Sequence, residues 1–338
     1  MNIESDKSLK HYNTFGIDVK AKYFAEVKSI DDIRELVRDP KFVNEKRFIL
    51  GSGSNTLFKS DFDGIIVKNS LRGIEQVHED EHFVRFKVAG GEVWHQFVLF
   101  CVNKNLGGIE NLSLIPGEVG ATPIQNIGAY GADVNNIIDE VEVVELSSGN
   151  LSTLTYAECE FGYRDSIFKN RYKDKYIITA VTYRLSKKAH FKVSYGDIEK
   201  MLAEMQVKEL TVKAVSDAII KIRTSKLPDP VKLGNAGSFF KNPAIDKILL
   251  DELMKSFPAI PHYPFIDNLI KVPAGWLIEQ CGWKGKRVGN TGAHEHHALV
   301  LVNYGGATGP EIYSLALEIQ KSVQEKFGIT IEAEVNIV

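Results

Sequence analysis

The stretch Ile115-Pro-Gly-Glu-Val-Gly-Ala-Thr-Pro-Ile-Gln-Asn-Ile-Gly-Ala-Tyr-Gly131 decides how the rest of this chain is read. Its prolines and glycines rule out a continuous helix or a central strand. Thr122, Gln125 and Asn126 add hydroxyl and amide groups. Such a run can lay its main chain flat along a large planar ligand, although an Ω-loop packed on itself is the plainer reading. It ends a turn-rich region that begins at Gly107. A stretch of about 25 residues without regular structure, inside a compact domain, points to function.

A second glycine-rich loop lies upstream. The apolar strand Arg47-Phe-Ile-Leu50 runs into Gly51-Ser-Gly-Ser-Asn55, and a further apolar strand follows at Gly64-Ile-Ile-Val67. Glycines at 51 and 53 let successive N–H groups turn towards one concave spot, a nest suited to a phosphate or pyrophosphate. Ser52, Ser54 and Asn55 supply side-chain donors. No Gly-Lys-Ser/Thr follows, so this is not a Walker loop, and it is not a full Rossmann fingerprint. Taken alone it reads as a tight surface turn. Two such loops in one α/β region favour a dinucleotide.

Around these loops the chain alternates strand and helix signals, as α/β domains do. Ser29-Ile-Asp-Asp32 caps a short helix carrying Ile33, Leu36 and Val37, stopped before Pro40. Phe83–Ala89 alternates like a half-buried strand. A helix from Val93 to about Asn103 sets Val93, Phe97, Phe100 and Cys101 on one face. Strands follow at residues 137–146, 151–155 and 176–185, the first two joined by the hairpin turn Ser147-Ser-Gly-Asn150. In the last third, Thr211 caps a helix with Val212, Val215, Ile219 and Ile222 inward. Thr308-Gly-Pro310 opens a long helix that Gly328 closes. Residues 329–338 alternate strictly and read as one terminal strand, with Glu332, Glu334 and Asn336 on its polar face. Divisions are expected near Leu71 and Phe191.

The 338 residues carry 41 Lys plus Arg against 44 Asp plus Glu, a net charge of −3 without a concentrated basic face. No nucleic acid is expected as a partner. No apolar run is long enough to span a bilayer, and the N-terminus lacks a secretory core. Cys101, Cys159 and Cys281 are odd in number and far apart, which suits reduced thiols in the cytoplasm. His294, His296 and His297 do not follow the His-Glu-x-x-His helix spacing, and no cysteine pair supports them, so no metal is expected.

Several short polar sets remain. Phe161-Gly-Tyr-Arg-Asp-Ser166 gathers Arg164 with a carboxylate and a hydroxyl. Asn235-Ala-Gly-Ser-Phe-Phe-Lys-Asn-Pro243 offers Ser238, Lys241 and Asn242, and Ser238 is no nucleophile elbow because the required glycine does not follow. Lys226 projects from a helix end before Leu227-Pro-Asp-Pro230. Glu334 lies on the terminal segment. Singly, each reads as structural.

Together with Tyr12-Asn-Thr-Phe-Gly16, Glu110-Asn-Leu-Ser-Leu-Ile-Pro-Gly117, Ala274-Gly-Trp-Leu-Ile278 and Glu332-Ala-Glu-Val335, these segments resemble the UDP-N-acetylenolpyruvoylglucosamine reductase family. They span nearly the whole chain in order, and Tyr195-Gly-Asp197 looks like the longer subtype. The resemblance implies a PCMH-type FAD-binding region (about residues 15–188) made of two α/β subdomains, 1–70 and 71–190. A substrate-binding α+β domain, 191–338, follows, with its terminal strand returning to the active site.

It further implies non-covalent FAD, reduced by NADPH, and reduction of UDP-N-acetylglucosamine enolpyruvate to UDP-N-acetylmuramate for peptidoglycan. Arg164, Ser238 and Glu334 fall on the family's catalytic positions, and Tyr195, Lys226 and Asn242 on its substrate contacts. Gly51, Ser52, Gly53, Ser54, Asn55, Pro116, Gly117, Gly120, Ala121, Thr122, Gln125, Asn126, Ile127, Gly128 and Tyr130 are the expected cofactor contacts. A cytoplasmic monomer is expected. Two rivals remain: another PCMH-type flavin oxidoreductase, and a catalytically silent nucleotide-sugar or flavin-binding module. Many flavoproteins of the first kind attach flavin through a loop His, and none occurs between Gly51 and Lys59.

Overall fold

Parallel pairing of Arg47–Leu50 with Phe62–Asn69, Leu50 opposite Lys68, lies at one edge of the first sheet in the computed structural model, which describes residues 1–338. Lys20–Val27 and then Ile3–Ser8 complete that sheet. Helix Ile30–Leu36 starts at a full capping box, the Ser29 hydroxyl accepting from the Asp32 N–H and the Asp32 carboxylate from the Ser29 N–H. It buries Ile33 and Leu36 against Val27, Ile65 and Val67. Pro40 does more than stop this helix: it occupies the first turn of another, Pro40–Asn44, because that position needs no N–H donor.

The second sheet is antiparallel throughout, in the order Leu151–Thr155, Ile138–Glu145, Tyr176–Ser186, Phe83–Ala89, Ile74–Glu79. Val84, Phe86 and Val88 alternate onto its inner face. Helix Trp94–Asn103 covers them with Trp94, Phe97, Val98 and Cys101, all fully buried. Each large side chain so buried contributes about 1.5–3 kcal/mol. Val93 does not join this face. It sits before the first helical residue and is 41% exposed. On the opposite face Lys87 pairs with Glu142 at 2.7 Å, and Arg85 with Asp139 at 2.5 Å. Helices Ile198–Glu204 and Val212–Lys226 add a small core of Ile198, Leu202, Val215 and Ile219 packed with Phe191 and Tyr130.

Met1–Lys7, Ala21–Ser52 and Asp63–Ser225 form one compact unit; Ser8–Lys20, Gly53–Phe62 and Lys226–Val338 form the other. These units do not coincide with the expected divisions. Residues 191–225 pack with the first, through Phe191 and Tyr130. Residues 8–20 and 53–62 join the second, where the Thr14 hydroxyl donates to the Asn235 carbonyl at 2.6 Å.

The second unit carries a sheet ordered Gly234–Ser238, Val300–Asn303, Thr291–Ala293, Arg287–Val288. Helix Gly309–Phe327 packs on it, capped by Thr308 and Glu311 and ended by Gly328 at φ +67°. The terminal segment is not the single strand its alternation suggests. Its two halves face different partners, Ala333 bridging to Phe240 and only Asn336–Ile337 pairing, in parallel, with Thr56–Leu57.

Candidate active site

In the first unit the upstream loop starts with Gly51 and Ser52. A Cβ at Gly51 would lie 3.1 Å from Glu118 Oε2. The Ser52 hydroxyl is buried without a hydrogen-bond partner, an orphan donor that a phosphate oxygen would accept from. Ser52 is absent from the residues with positive φ, so its side chain carries no backbone strain.

The long loop is tied down by its own main chain. The Trp94 N–H donates to the Gly117 carbonyl, the Val119 N–H to Glu92 and the Gly120 N–H to Gly90. Two side chains expected to face a cofactor point elsewhere. Thr122 is buried, donating to the Val119 carbonyl at 2.8 Å and sharing a 2.7 Å bond with the Tyr183 hydroxyl. Asn126 donates to the Gly162 carbonyl and accepts from the Asn135 N–H. These two residues hold the loop's shape, and what they can offer a ligand is backbone. Pro116 and Ala121 stay exposed, and Gly117, Gln125, Gly128 and Tyr130 are half-buried.

Arg164 is held by three hydrogen bonds. Its Nη1 donates to the Asn126 carbonyl at 3.2 Å and to Asp133 Oδ1 at 3.0 Å, and its Nη2 to the Gly128 carbonyl. Its side chain is 15% exposed, and its guanidinium carbon lies 5.2 Å from the Tyr163 ring centre. Leu114, Asn126, Tyr130 and Arg164 all take left-handed φ values between +45° and +57°. Non-glycine residues in that region are strained by about 1–3 kcal/mol each and collect at functional sites. Leu114 is clamped on both sides. Its N–H donates to His95 Nδ1 at 3.0 Å, and its carbonyl accepts from Arg223 Nε at 3.2 Å. Burial, assisted by Arg223, holds the His95 imidazole below its usual pKa, in keeping with an acceptor nitrogen. Tyr195 lies beside Gly131, whose Cβ would sit 3.4 Å from that of Tyr195.

The second unit holds the remaining candidates. Gly53 takes φ +66°, and any Cβ there would meet the Tyr12 carbonyl at 2.1 Å, so only glycine fits. The Asn55 amide donates to the Glu334 carbonyl at 3.2 Å, and the Asn336 N–H donates to the Asn55 carbonyl. The upstream loop thereby fixes the segment bearing Glu334. That segment runs beside Ser238: the Glu334 N–H donates to the Phe239 carbonyl at 2.8 Å. Ser238 ends its strand after a register shift between Asn235 and Ser238, with Gly237 at φ +70°. Such a bulge re-aims the side chain that follows it. Asn242 Oδ1 accepts from the Ala274 N–H at 2.9 Å, which orients its amide. Lys226 ends helix Val212–Lys226, as expected. Ser238, Glu334, Asn55, Asn242 and Lys226 thus belong to one unit; Arg164 and Tyr195 belong to the other.

A cleft of about 1220 Å³ in the second unit lies elsewhere, between residues 10–19, 59–61, 230–234 and 303–310, and holds none of these candidates. No three His, Cys, Asp or Glu side chains are grouped to hold a metal ion. The His294 ring accepts from the His296 N–H within a turn. No helix is long and apolar enough to cross a membrane.

Sequence reading missed Asp133, Glu118, Lys68, His95 and Arg223. A signal existed for two of them. Lys68 is a charge ending an apolar strand, and Glu118 is an acid inside an otherwise neutral loop.

A parallel strand pair running into a glycine loop, a second glycine loop and a buried hydroxyl left for a ligand suit a dinucleotide-binding protein with a second α+β region. Residues 21–155 match the family model described as FAD binding domain, and residues 229–338 the one described as UDP-N-acetylenolpyruvoylglucosamine reductase, C-terminal domain. The chain belongs to the UDP-N-acetylenolpyruvoylglucosamine reductase family. It is 51% identical to the reductase of that name from Flavobacterium johnsoniae and 46% identical to that from Amoebophilus asiaticus, each over 100% of both chains. The solved reductase structure from Thermus caldophilus is 23% identical, matches with a TM-score of 0.67, and covers 100% of this chain and 99% of that one.

Proposed function

We propose that this chain reduces UDP-N-acetylglucosamine enolpyruvate to UDP-N-acetylmuramate in peptidoglycan precursor synthesis, with FAD as cofactor and NADPH as reductant. The observation that carries this reading is the 51% identity over both full chains to a reductase of that name. The enzyme acts as a monomer in the cytoplasm, where the buried Cys101 and Cys159 stay reduced and NADPH is supplied. Gly51, Ser52, Gly53, Ser54 and the main chain of residues 116–130 would hold the cofactor. FAD held there would supply the hydride-transfer chemistry between NADPH and the methylene end of the enolpyruvyl double bond.

The chain's own residues manage the charge and the proton. Arg164, fixed by Asp133, Asn126 and Gly128, brings its positive charge to the substrate carboxylate, where charge accumulates as an enediolate. Glu334 orients the same group. Ser238 then donates its hydroxyl proton to the adjacent carbon, which is basic enough beside a carboxylate dianion to accept it. Lys226 brings a compact charge to the diphosphate, and Tyr195 and Asn242 add neutral hydrogen bonds.

Anaerobic spectroscopy of the purified protein tests the reading. NADPH should bleach a flavin spectrum, and the enolpyruvyl substrate should restore it with formation of UDP-N-acetylmuramate. A folded protein that does not bind FAD, or a reduced flavin that the substrate leaves bleached, would refute it.

A further inference from the structure

Lys68 and Glu118 form a buried ion pair where the long loop meets the turn that opens the upstream loop. Lys68 stands opposite Leu50, the residue before Gly51, at the C-terminal ends of two parallel strands. In open α/β sheets those ends face the ligand crevice. Its ammonium donates to Glu118 Oε1 at 2.8 Å, to Oε2 at 3.0 Å and to the Asn69 carbonyl at 2.8 Å, so all three protons are placed. The two side chains are 11% and 7% exposed. Glu118 Oε2 would lie 3.1 Å from a Cβ at Gly51, so the carboxylate sits directly behind that turn.

The sign of Glu118 is wrong for its place. A dinucleotide diphosphate is an anion, and a carboxylate behind its cradle repels it. Arg72 also acts on Glu118, but Arg72 lies 3.6 Å from Glu92 and is 54% exposed. Lys68 is the charge in hydrogen-bond contact with Glu118.

We propose that Lys68 is a positioning residue for the flavin cofactor: it cancels the Glu118 carboxylate behind Gly51, so that the turn accepts the cofactor diphosphate. This rests on the FAD-dependent reading above.

An ordinary structural pair would suffer equally from loss of either partner; a counter-charge would not. Apoprotein stripped of flavin is titrated with FAD by fluorescence quenching, with thermal unfolding of each variant as the folding control. Burial pushes the Glu118 carboxyl up and Lys68 holds it down, so the titration is run at alkaline pH, where Glu118 is ionised without its partner. There Lys68→Met should weaken FAD binding at least about tenfold, the order of one charge acting over roughly 10 Å at an effective dielectric near 20. Glu118→Gln leaves a bare ammonium and should bind FAD at least as tightly as the wild type. The double variant, neutral at both places, should regain most of what Lys68→Met loses. If Lys68→Met does not fold, tighter binding by Glu118→Gln than by the double variant carries the same sign. Equal weakening by both single variants, wild-type affinity in Lys68→Met, or a double variant as weak as Lys68→Met would each overturn the proposal. A wild-type protein without affinity for FAD would instead sink the cofactor reading.

Discussion

Replacing Gly128 with alanine tests whether the position of Arg164 matters to the chemistry. A Cβ at residue 128 would fall 1.8 Å from Asp133 Oδ1, 2.7 Å from Arg164 Nη1 and 2.9 Å from the Ala132 carbonyl oxygen. Ordinary contact begins near 3.4 Å, so the Asp133 carboxylate must retreat by about 1.6 Å. The backbone at 128 is not left-handed, so the effect is steric. Asp133 is 46% exposed and can swing into water, which limits the lost ion pair to about 1 kcal/mol or less. Relief of the clash adds about 1–3 kcal/mol, a fall in Tm of several degrees.

The catalytic consequence is larger, because a displacement of about 1 Å in a positioned group can cost about 10²-fold. Stopped-flow measurement should show near-normal reduction of the flavin by NADPH. Its reoxidation by the enolpyruvyl substrate should be slower by roughly 10- to 100-fold. If most of the effect passes through Asp133, Gly128→Ala combined with Asp133→Ala should lose clearly less than the sum of the two single defects, the remainder coming from the Cβ contacts with Arg164 and the Ala132 carbonyl. A fast second half-reaction in Gly128→Ala, or defects that simply add, would refute the reasoning.

Three further outcomes are expected. Ser238→Ala should leave flavin reduction intact and slow reoxidation by the 10²–10⁴-fold typical of a lost general acid, with Ser238→Cys recovering part of it; equal slowing of both half-reactions would make Ser238 a pocket-shaping residue. Lys226→Ala should weaken the UDP-sugar by about 1.5–3 kcal/mol, read by calorimetry, and unchanged affinity would remove Lys226 from the site. The third concerns pH. The folded His95 imidazole titrates below its unfolded value near 6.5, so the unfolded chain binds the extra proton first. Stability from neutral His95 is therefore present above pH 6.5 and falls as the pH drops through 6.5 towards the folded value. His95→Gln should lose less stability than the wild type between pH 8 and pH 5.5 in urea melts, keeping the share that His294, depressed in the same direction, contributes. Identical losses would contradict the His95–Leu114 bond.

Features set by neighbours in sequence are legible from the residues alone. The Ser29 and Thr308 capping boxes, the hairpin at residues 147–150 and the end of the Thr211 helix before Pro228 stand as their residues suggest. The alternation of residues 329–338 is legible as extended chain, but not as two pieces with separate partners, since Phe240 and Thr56 are remote in sequence. Thr122 and Asn126 show the same limit within the site. Their side chains advertise hydrogen bonds, yet Tyr183 and Gly162 take those bonds from afar. Asp133 is invisible in the sequence for a related reason: nothing ties an acid after Gly131 to an arginine 31 residues on.

The interleaving of the second unit also sets a clock on synthesis. Phe15 is 1% exposed in the finished protein, and its carbonyl accepts from the side chain of Asn303, 288 residues later. Leu57 and Phe58, both fully buried, belong to the segment that pairs with Asn336 and Ile337. At about 5–20 residues per second, a ribosome needs about 15–60 s to deliver the partner of Phe15 after Phe15 itself is made. Until then the late partners of these early residues do not yet exist, while the first unit has all of its residues once position 225 is made. Newborn chains of this enzyme should therefore be captured by ribosome-associated chaperones through their first sixty residues or so, and released late.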